Sequence, residues 1–410
     1  MVTPTGYAVV RTRQGAATRQ DAGMRVLVAP DCFTGTLSAP QAAQAIAAGW
    51  ARAAPHDELV QVPLSDGGPG FVDVLAASLG GEHVDVTVAD PLGRPTPATF
   101  LLGPGRAGPT AYLESAAACG LHLLAAVERD PGRTSSYGVG QLLAAALDRG
   151  ADRVVVGLGG SGTNDAGAGL LAALGVGSPA RLAHGGMPLT DATDADLDGL
   201  EEVMDRWRGV DLLAATDVDS PLLGPHGASA VFGPQKGATR EQVERLDAAL
   251  ARFADVVEVR HRSPRDLLTG RPLTRERLPG AGAAGGLGYA LLLLGGRRVS
   301  GVSAVLEAVG FEQSLTRADL VVTGEGSFDG QSLRGKVVCG VAAAAAAHAV
   351  PVVVVAGQVS LGRREVMAAG IHGAYAVAQR PGDLPAALAD PVGTLAARAE
   401  QVARTWSPVR

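Results

Sequence analysis

At 410 residues the chain is longer than one hydrophobic core usually supports, so two domains are expected. Hydrophobic residues make up 47% and charged residues 19%, the balance of a globular protein, while a net charge of −6 argues against a general nucleic-acid binder, which needs a basic face, and leaves room only for a local basic patch. The three cysteines, Cys32, Cys119 and Cys339, are far apart and odd in number and form no CxxC pair, so neither a disulfide framework nor a thiolate zinc site is suggested, and buried thiols in a reducing cytoplasm are expected.

Residues 1–23 lack the continuous apolar stretch of a secretory signal and read as a flexible leader. "RVLVAP" (25–30) is a buried strand, and "PDCFTG" follows it. Ser38 is placed to cap the next helix, with Pro40 in its first turn. "ELVQVPL" (58–64) is a second strand, ending in "SDGGPG". "VDVTVAD" (84–90) gives a strand and "DPLGRP" a turn, and "PTAYLESAAACGL" a strand running into a helix. A helix over 134–150 precedes the strand–loop–helix of 151–175. Residues 176–210 are polar and irregular, with a short acidic helix. "VDLLAATDVDSPLLG" is a strand with an acidic end, and a long amphipathic helix comes after "FGPQKGA". The last third alternates again through "AGAAGGLGYALLLLGG", "ADLVVTGEGSFDGQS", "VPVVVVAG" and "GAYAVA". The stretch Val337 to Gly357 contains His348 and Pro351 and reads as a helix plus a strand, not a membrane span.

Strands alternating with helices imply parallel sheets with right-handed crossovers. The regular alternation of 24–65 and 290–410 predicts a Rossmann-like three-layer parallel-sheet domain, split by an inserted α/β domain over 66–289. The active site is expected in the cleft between them.

Several predicted strands end in carboxylates beside glycines: Asp31, Asp66, Asp165 after Asn164, Asp217 with Asp219, and Glu325 with Asp329. Parallel strands bring such ends together, and acids near a Gly-rich loop fit Mg²⁺–nucleotide chemistry. An Asp there can also accept the proton of an attacking hydroxyl. "LGGSGTND" (158–165) precedes a helix, and it is either a loop whose Gly159, Gly160 and Ser161 offer N–H groups to phosphate or an ordinary tight turn. "PGAGAAGGLG", with Gly285 and Gly286, is either a second such loop or a site of close helix packing. There is no GxxxxGK[ST], HExxH or GxSxG. Only two lysines occur, Lys236 and Lys336, against 33 arginines. A lysine kept against that bias suits a compact charge on phosphate.

"VLVAPDCFTGTLSA", "PLSDGGPG", "TSSYGVGQLL", "GLGGSGTNDAGAGLL", "ATDVDSPLLG", "GASAVFGPQKGA", "PGAGAAGGLG" and "LVVTGEGSFDGQSLRGK" resemble the successive motifs of the bacterial glycerate kinase family, the type that includes the glycerate 2-kinases. They stand in family order over roughly residues 24–380. The resemblance implies a two-domain α/β fold, ATP and Mg²⁺ as cosubstrates, and phosphorylation of a hydroxyl of D-glycerate. On it, Asp66, Asp165 and Asp217 are the expected catalytic residues. Asp31, Cys32, Thr34, Gly67, Gly68, Asn164, Lys236 and Gln331 would bind substrate. Gly159, Gly160, Ser161, Gly285, Gly286, Glu325 and Lys336 would bind nucleotide, with Asp217, Asp219 and Glu325 on the metal. The expected partners are a small hydroxy acid and ATP, not nucleic acid or membrane, with a homodimer left open.

Two loops depart from the family pattern. Asp-Ser-Phe-Lys-Gly is here Asp31-Cys32-Phe33-Thr34-Gly35, and Asp-Gly-Gly-Glu-Gly-Thr is here Asp66-Gly67-Gly68-Pro69-Gly70-Phe71. A lysine and a glutamate are thus replaced by Thr34 and Pro69. Arg94, Arg133 or Arg334 is a candidate substitute cation. Three readings stay open: a kinase of glycerate or a similar hydroxy acid, a kinase of another acceptor, and a binding protein or a Cys32 chemistry with a lowered thiol pKa.

Overall fold

The computed structural model describes residues 23–407 except 106–107, 264, 266–267, 269, 271 and 334. Residues 1–22 of the expected leader lie outside the described part. Among the described residues, thirteen strands run in chain order: β1 (Arg25–Val28), β2 (Glu58–Gln61), β3 (Glu82–Ala89), β4 (Pro95–Gly103), β5 (Thr110–Glu114), β6 (Arg153–Gly157), β7 (Asp211–Ala215), β8 (Arg297–Val299), β9 (Leu320–Thr323), β10 (Ser327–Phe328), β11 (Val352–Ala356), β12 (Gln358–Val359) and β13 (Gly373–Ala376). They form a five-stranded sheet ordered β13-β11-β9-β1-β2, a six-stranded sheet ordered β3 to β8, and the small pair β10-β12.

The five-stranded sheet is wholly parallel. Its central strands are continuous apolar runs, LVVT in β9 and VVVVA in β11, buried along their length. That is the pattern of a sheet covered on both faces. Helices Ala39–Ala53 and Pro391–Trp406 pack together on one face through Ile46, Trp50, Leu395 and Val402. Helix Val337–Ala347 covers the other face through Val337, Val341 and Ala345. Ser38 starts the first helix in a reciprocal cap: its hydroxyl accepts from the Gln41 N–H at 3.4 Å, and its own N–H donates to Gln41 Oε1 at 2.9 Å.

The six-stranded sheet is mixed. β5 to β8 are parallel, but β3, β4 and β5 pair antiparallel. β4 was not foreseen, because Pro95 and Pro97 weaken its strand signal; here they pair with Ala89 and Thr87. The hairpin turn is held by Asp90, whose Oδ1 accepts from the N–H groups of Leu92 and Arg94, both at 2.8 Å. β8 belongs to this sheet, so the crossover back to the parallel sheet comes after Val299, some ten residues beyond the expected boundary at 289/290.

The two sheets share an apolar layer. Leu27, Leu64 and Val321 from one side meet Leu101, Val155 and Leu213 from the other, with Phe71 and Val302 between. Phe71 and Val302 belong to helices Phe71–Leu79 and Gly301–Ala308, which fill this seam. No helix among the described residues is long and apolar enough to cross a membrane.

Candidate active site

The carboxyl ends of the five parallel strands open into one cavity of about 570 Å³. In spatial order the ends supply Val377 after β13, Gly357 and Gln358 after β11, Glu325 to Ser327, Asp329 and Gln331 after β9, Asp31 to Thr34 and Thr36 after β1, and Ser65, Asp66, Gly68 and Pro69 after β2. The chain runs from β1 outward to β2, but from β9 outward the opposite way to β11 and β13. The reversal leaves a crevice between β1 and β9, where open α/β sheets bind ligands. Asp31 and Glu325 stand on its two sides.

Backbone bonds hold these loops in register beyond the strands. Asp31 N–H donates to the Gly324 carbonyl at 2.8 Å, Leu64 N–H to Pro30 at 2.9 Å, and Gly357 N–H to Glu325 at 3.1 Å. The Asp66 loop is seated in the seam. A methyl group at Gly301 would lie 1.8 Å from the Asp66 carbonyl oxygen, and Gly67 takes φ +91°, which disfavours any side chain.

The acids interact. Burial pushes the Asp31 carboxyl up to about 7, with Asp66 and Glu325 adding to it, against a 2.6 Å hydrogen bond from the Cys32 N–H. Burial also raises Glu325; Ser332 and Lys336 pull it back, and Asp329 and Asp66 push it further. Asp217 is raised by burial and by Asp66, against the polar groups of Ser300, Gly301 and Val302. Asp329 is lowered, first by the Gln331 N–H at 2.8 Å. Glu325 is 6% exposed, yet its Oε1 has no hydrogen-bond partner. Among the described residues lining the cavity, the one cationic side chain is Lys336, at the N-cap of helix Val337–Ala347.

Asp31, Cys32, Thr34, Asp66, Gly68, Glu325, Gln331 and Lys336 thus reach one cavity. Asp217 joins them electrostatically through Asp66, from the seam. Gly67 shapes that loop without lining the cavity.

The remaining candidates lie elsewhere. Asp165 is fully buried and meets only the protein: its Oδ2 accepts from Ser136 N and Oγ, both at 2.8 Å, and from Gly169 N at 3.3 Å, and its Oδ1 from Gly167 N at 3.1 Å. The helix start after "GGSGTND" does bind an anion, but the anion is the chain's own carboxylate. Asn164 is buried, donating to Ser229 Oγ at 2.8 Å. Gly159 and Gly160 pack on Gly68 and Pro69. Ser161 accepts from Lys236 at 2.9 Å, and that lysine is buried, donating also to the Thr163 carbonyl at 2.7 Å. Burial pushes the Lys236 ammonium down to about 8. Gly285 and Gly286 press on the Thr163–Ala166 backbone, the geometry of close packing. Asp219 points to solvent and pairs with Arg298 at 2.7 Å. The expected metal set of Asp217, Asp219 and Glu325 is therefore not assembled, and among the described residues no three His, Cys, Asp or Glu side chains group to hold a metal.

Cys32 is not an activated thiol: burial and Asp31 push it up to about 12. Thr34 is exposed, its hydroxyl 4.0 Å from the Cys32 sulfur. Arg94 supplies no charge here, being held by Asp90 at 2.5 Å and Glu128 at 2.7 Å. Arg334 lies outside the described residues. The sequence reading missed the cavity's far wall, built by Val377 with Leu384, Leu388 and Thr394. "GAYAVA" was a parallel-strand end like the others and carried the signal for Val377; the helical residues carried none.

Comparison with known proteins gives one consistent picture. Residues 26–407 match the family model described as "Glycerate kinase family". A glycerate kinase of Bacillus subtilis (strain 168) is 42% identical over 368 residues, covering 88% of this chain and 92% of that protein. A glycerate 2-kinase of Escherichia coli (strain K12) is 37% identical over 388 residues, covering 93% and 98%. A crystal structure assigned to glycerate kinase 2 of Salmonella typhimurium LT2 superposes with a TM-score of 0.74 at 37% identity, covering 94% of this chain and 98% of that one.

Proposed function

The chain belongs to the glycerate kinase family and is a phosphotransferase with an alcohol acceptor; from that premise we propose that it moves the terminal phosphoryl group of ATP, with Mg²⁺, to a hydroxyl of D-glycerate. The observation that carries this reading is the meeting of Asp31, Asp66, Glu325 and Lys336 in one cavity at the reversal point of the sheet.

Asp31 accepts the proton of the attacking hydroxyl. A carboxyl titrating near 7 combines an available base form with real basicity. Burial keeps Asp31 basic, and Asp66 on the neighbouring loop adds to it by repulsion and sits where it can hold the acceptor's hydroxyls. Lys336 lies against the phosphates and offsets their charge. Mg²⁺ usually takes one or two carboxylates and completes its shell with phosphate oxygens and water. The donor set fits that mode: Glu325 lines the cavity with hard carboxylate oxygens, and its buried Oε1 has no hydrogen-bond partner. The ion would neutralise charge on the transferring group.

One observation favours a second acceptor class. Beyond Lys336, the β1–β2 end of the cavity offers Asp31, Asp66, Cys32, Thr34 and Pro69, with no cation for a carboxylate among the described residues. A less anionic hydroxyl compound suits that end. ADP release measured against D-glycerate, other hydroxy acids and neutral polyols separates the two. Turnover of D-glycerate above every other acceptor supports the first reading, and turnover of a neutral polyol alone replaces it. Asp31→Asn should lower kcat by about 10²–10⁴; full activity in that variant refutes the assigned base.

A further inference from the structure

We infer that the nucleotide's base rests on an apolar shelf at the β13 end of the cavity, formed by Val377, Leu384 and Leu388, with the phosphates running along the strand ends toward Lys336. This rests on the kinase reading and adds the placement and chemistry of one half of its substrate.

The cavity is polarised along the sheet. Its β1–β2 end carries Asp31 and Asp66, its middle carries Glu325, Asp329 and Lys336, and its β13 end is aliphatic. β13 is three strand spacings from β1, which is about 15 Å. An extended nucleoside triphosphate has the same polarity, an uncharged aromatic base at one end and the reacting phosphoryl group at the other. Only one orientation matches both gradients: the reverse would set the base among carboxylates and the phosphates on leucine. Leu388 is 57% exposed, although it is a large aliphatic side chain on the wall of this cavity. A flat base covering it would remove that surface from water. The shelf comes from helix Leu384–Ala389, carried at the start of the C-terminal helix Pro391–Trp406. The polar side chains near it are Gln358 and Thr394, and the Thr394 hydroxyl already donates to the Asp390 carbonyl at 2.6 Å. The base is therefore held chiefly by apolar contact.

Calorimetric titration of the full chain with magnesium–ATP and, in parallel, with magnesium–tripolyphosphate tests this. Tripolyphosphate presents the phosphates without the base. Leu388→Ser and Leu384→Ser should each weaken ATP binding by about five- to twentyfold, the effect of uncovering part of a leucine side chain. Tripolyphosphate binding should stay within about twofold. Thermal melting of each variant confirms folding, and Leu388, being exposed, is the safer change. ATP affinity unchanged in both variants overturns the shelf, and so does equal weakening of both ligands. If the unaltered chain binds tripolyphosphate as tightly as ATP, the shelf is refuted while the kinase reading stands. If it binds neither, the kinase reading falls and the shelf with it.

Discussion

Replacing Asp31 by Asn should make the protein more stable and less active, in a pH-dependent way. The folded state holds this carboxyl near 7, against an ordinary value of 3.8, because it is buried beside Asp66 and Glu325. At 1.36 kcal/mol per pH unit, that gap corresponds to about 4 kcal/mol. The sign follows from proton binding. Below pH 4 the group is protonated in both states and costs nothing. Between pH 4 and 7 the unfolded chain releases the proton and the folded chain keeps it, so stability falls as pH rises. Above pH 7 the whole penalty is present. Asn imitates the protonated carboxyl and can still accept from the Cys32 N–H. Asp31→Asn should therefore gain about 1.6 kcal/mol at pH 5 and about 4 kcal/mol at pH 8. Urea unfolding followed by circular dichroism at the two pH values measures both differences. In the unaltered enzyme the same titration should appear as an acid limb in kcat/KM near pH 7. A variant no more stable at pH 8, or stabilised equally at both pH values, would refute the argument that these acids crowd one buried site.

Asp165→Ala should cost at least 3 kcal/mol in urea unfolding, because it strands the Ser136 and Gly169 N–H groups, the Gly167 N–H and the Ser136 hydroxyl in the interior, at about 1–3 kcal/mol for each group left unpaired; a loss below 1 kcal/mol would show that Asp165 is not the internal anion of that helix start. The folded state lowers Lys236 from 10.5 to about 8, so the charged form penalises the fold by about 3 kcal/mol below pH 8, and the penalty fades as pH rises to 10.5. Lys236→Met should remove that gain in stability between pH 8 and pH 10, seen in paired unfolding curves; an unchanged slope would contradict the burial. Gly301→Ala should lower kcat/KM tenfold or more, since its methyl group must displace the Asp66 carbonyl; normal turnover in the folded variant would show that the Asp66 position is not critical.

Much of the fold was legible because its signals are local. Apolar runs such as VVVVA need burial on both faces, and their alternation with helices implies a parallel sheet. The Ser38 cap followed from residue type alone. The β3–β4 hairpin escaped because its strand contains two prolines, tolerated because that end of β4 pairs only with β3, while β5 pairs with Leu101 to Gly103. The acids that end strands of the five-stranded sheet line one cavity, as their place in the sequence suggested. In the six-stranded sheet Asp165, in a similar sequence setting, is turned inward.

The amino-acid sequence by itself determined that acids and glycines would stand at the ends of parallel strands, since strand length, turn chemistry and hydrophobic pattern act over a few residues. Only the tertiary structure decided which acids share water. Asp31, Asp66 and Glu325 meet because β1, β2 and β9 are neighbours across the sheet, a relation set by packing between segments about 290 residues apart in the chain. Asp165 looks the same in sequence and is spent on the protein's own N–H groups, because burial leaves an ionised carboxyl no partner except those donors.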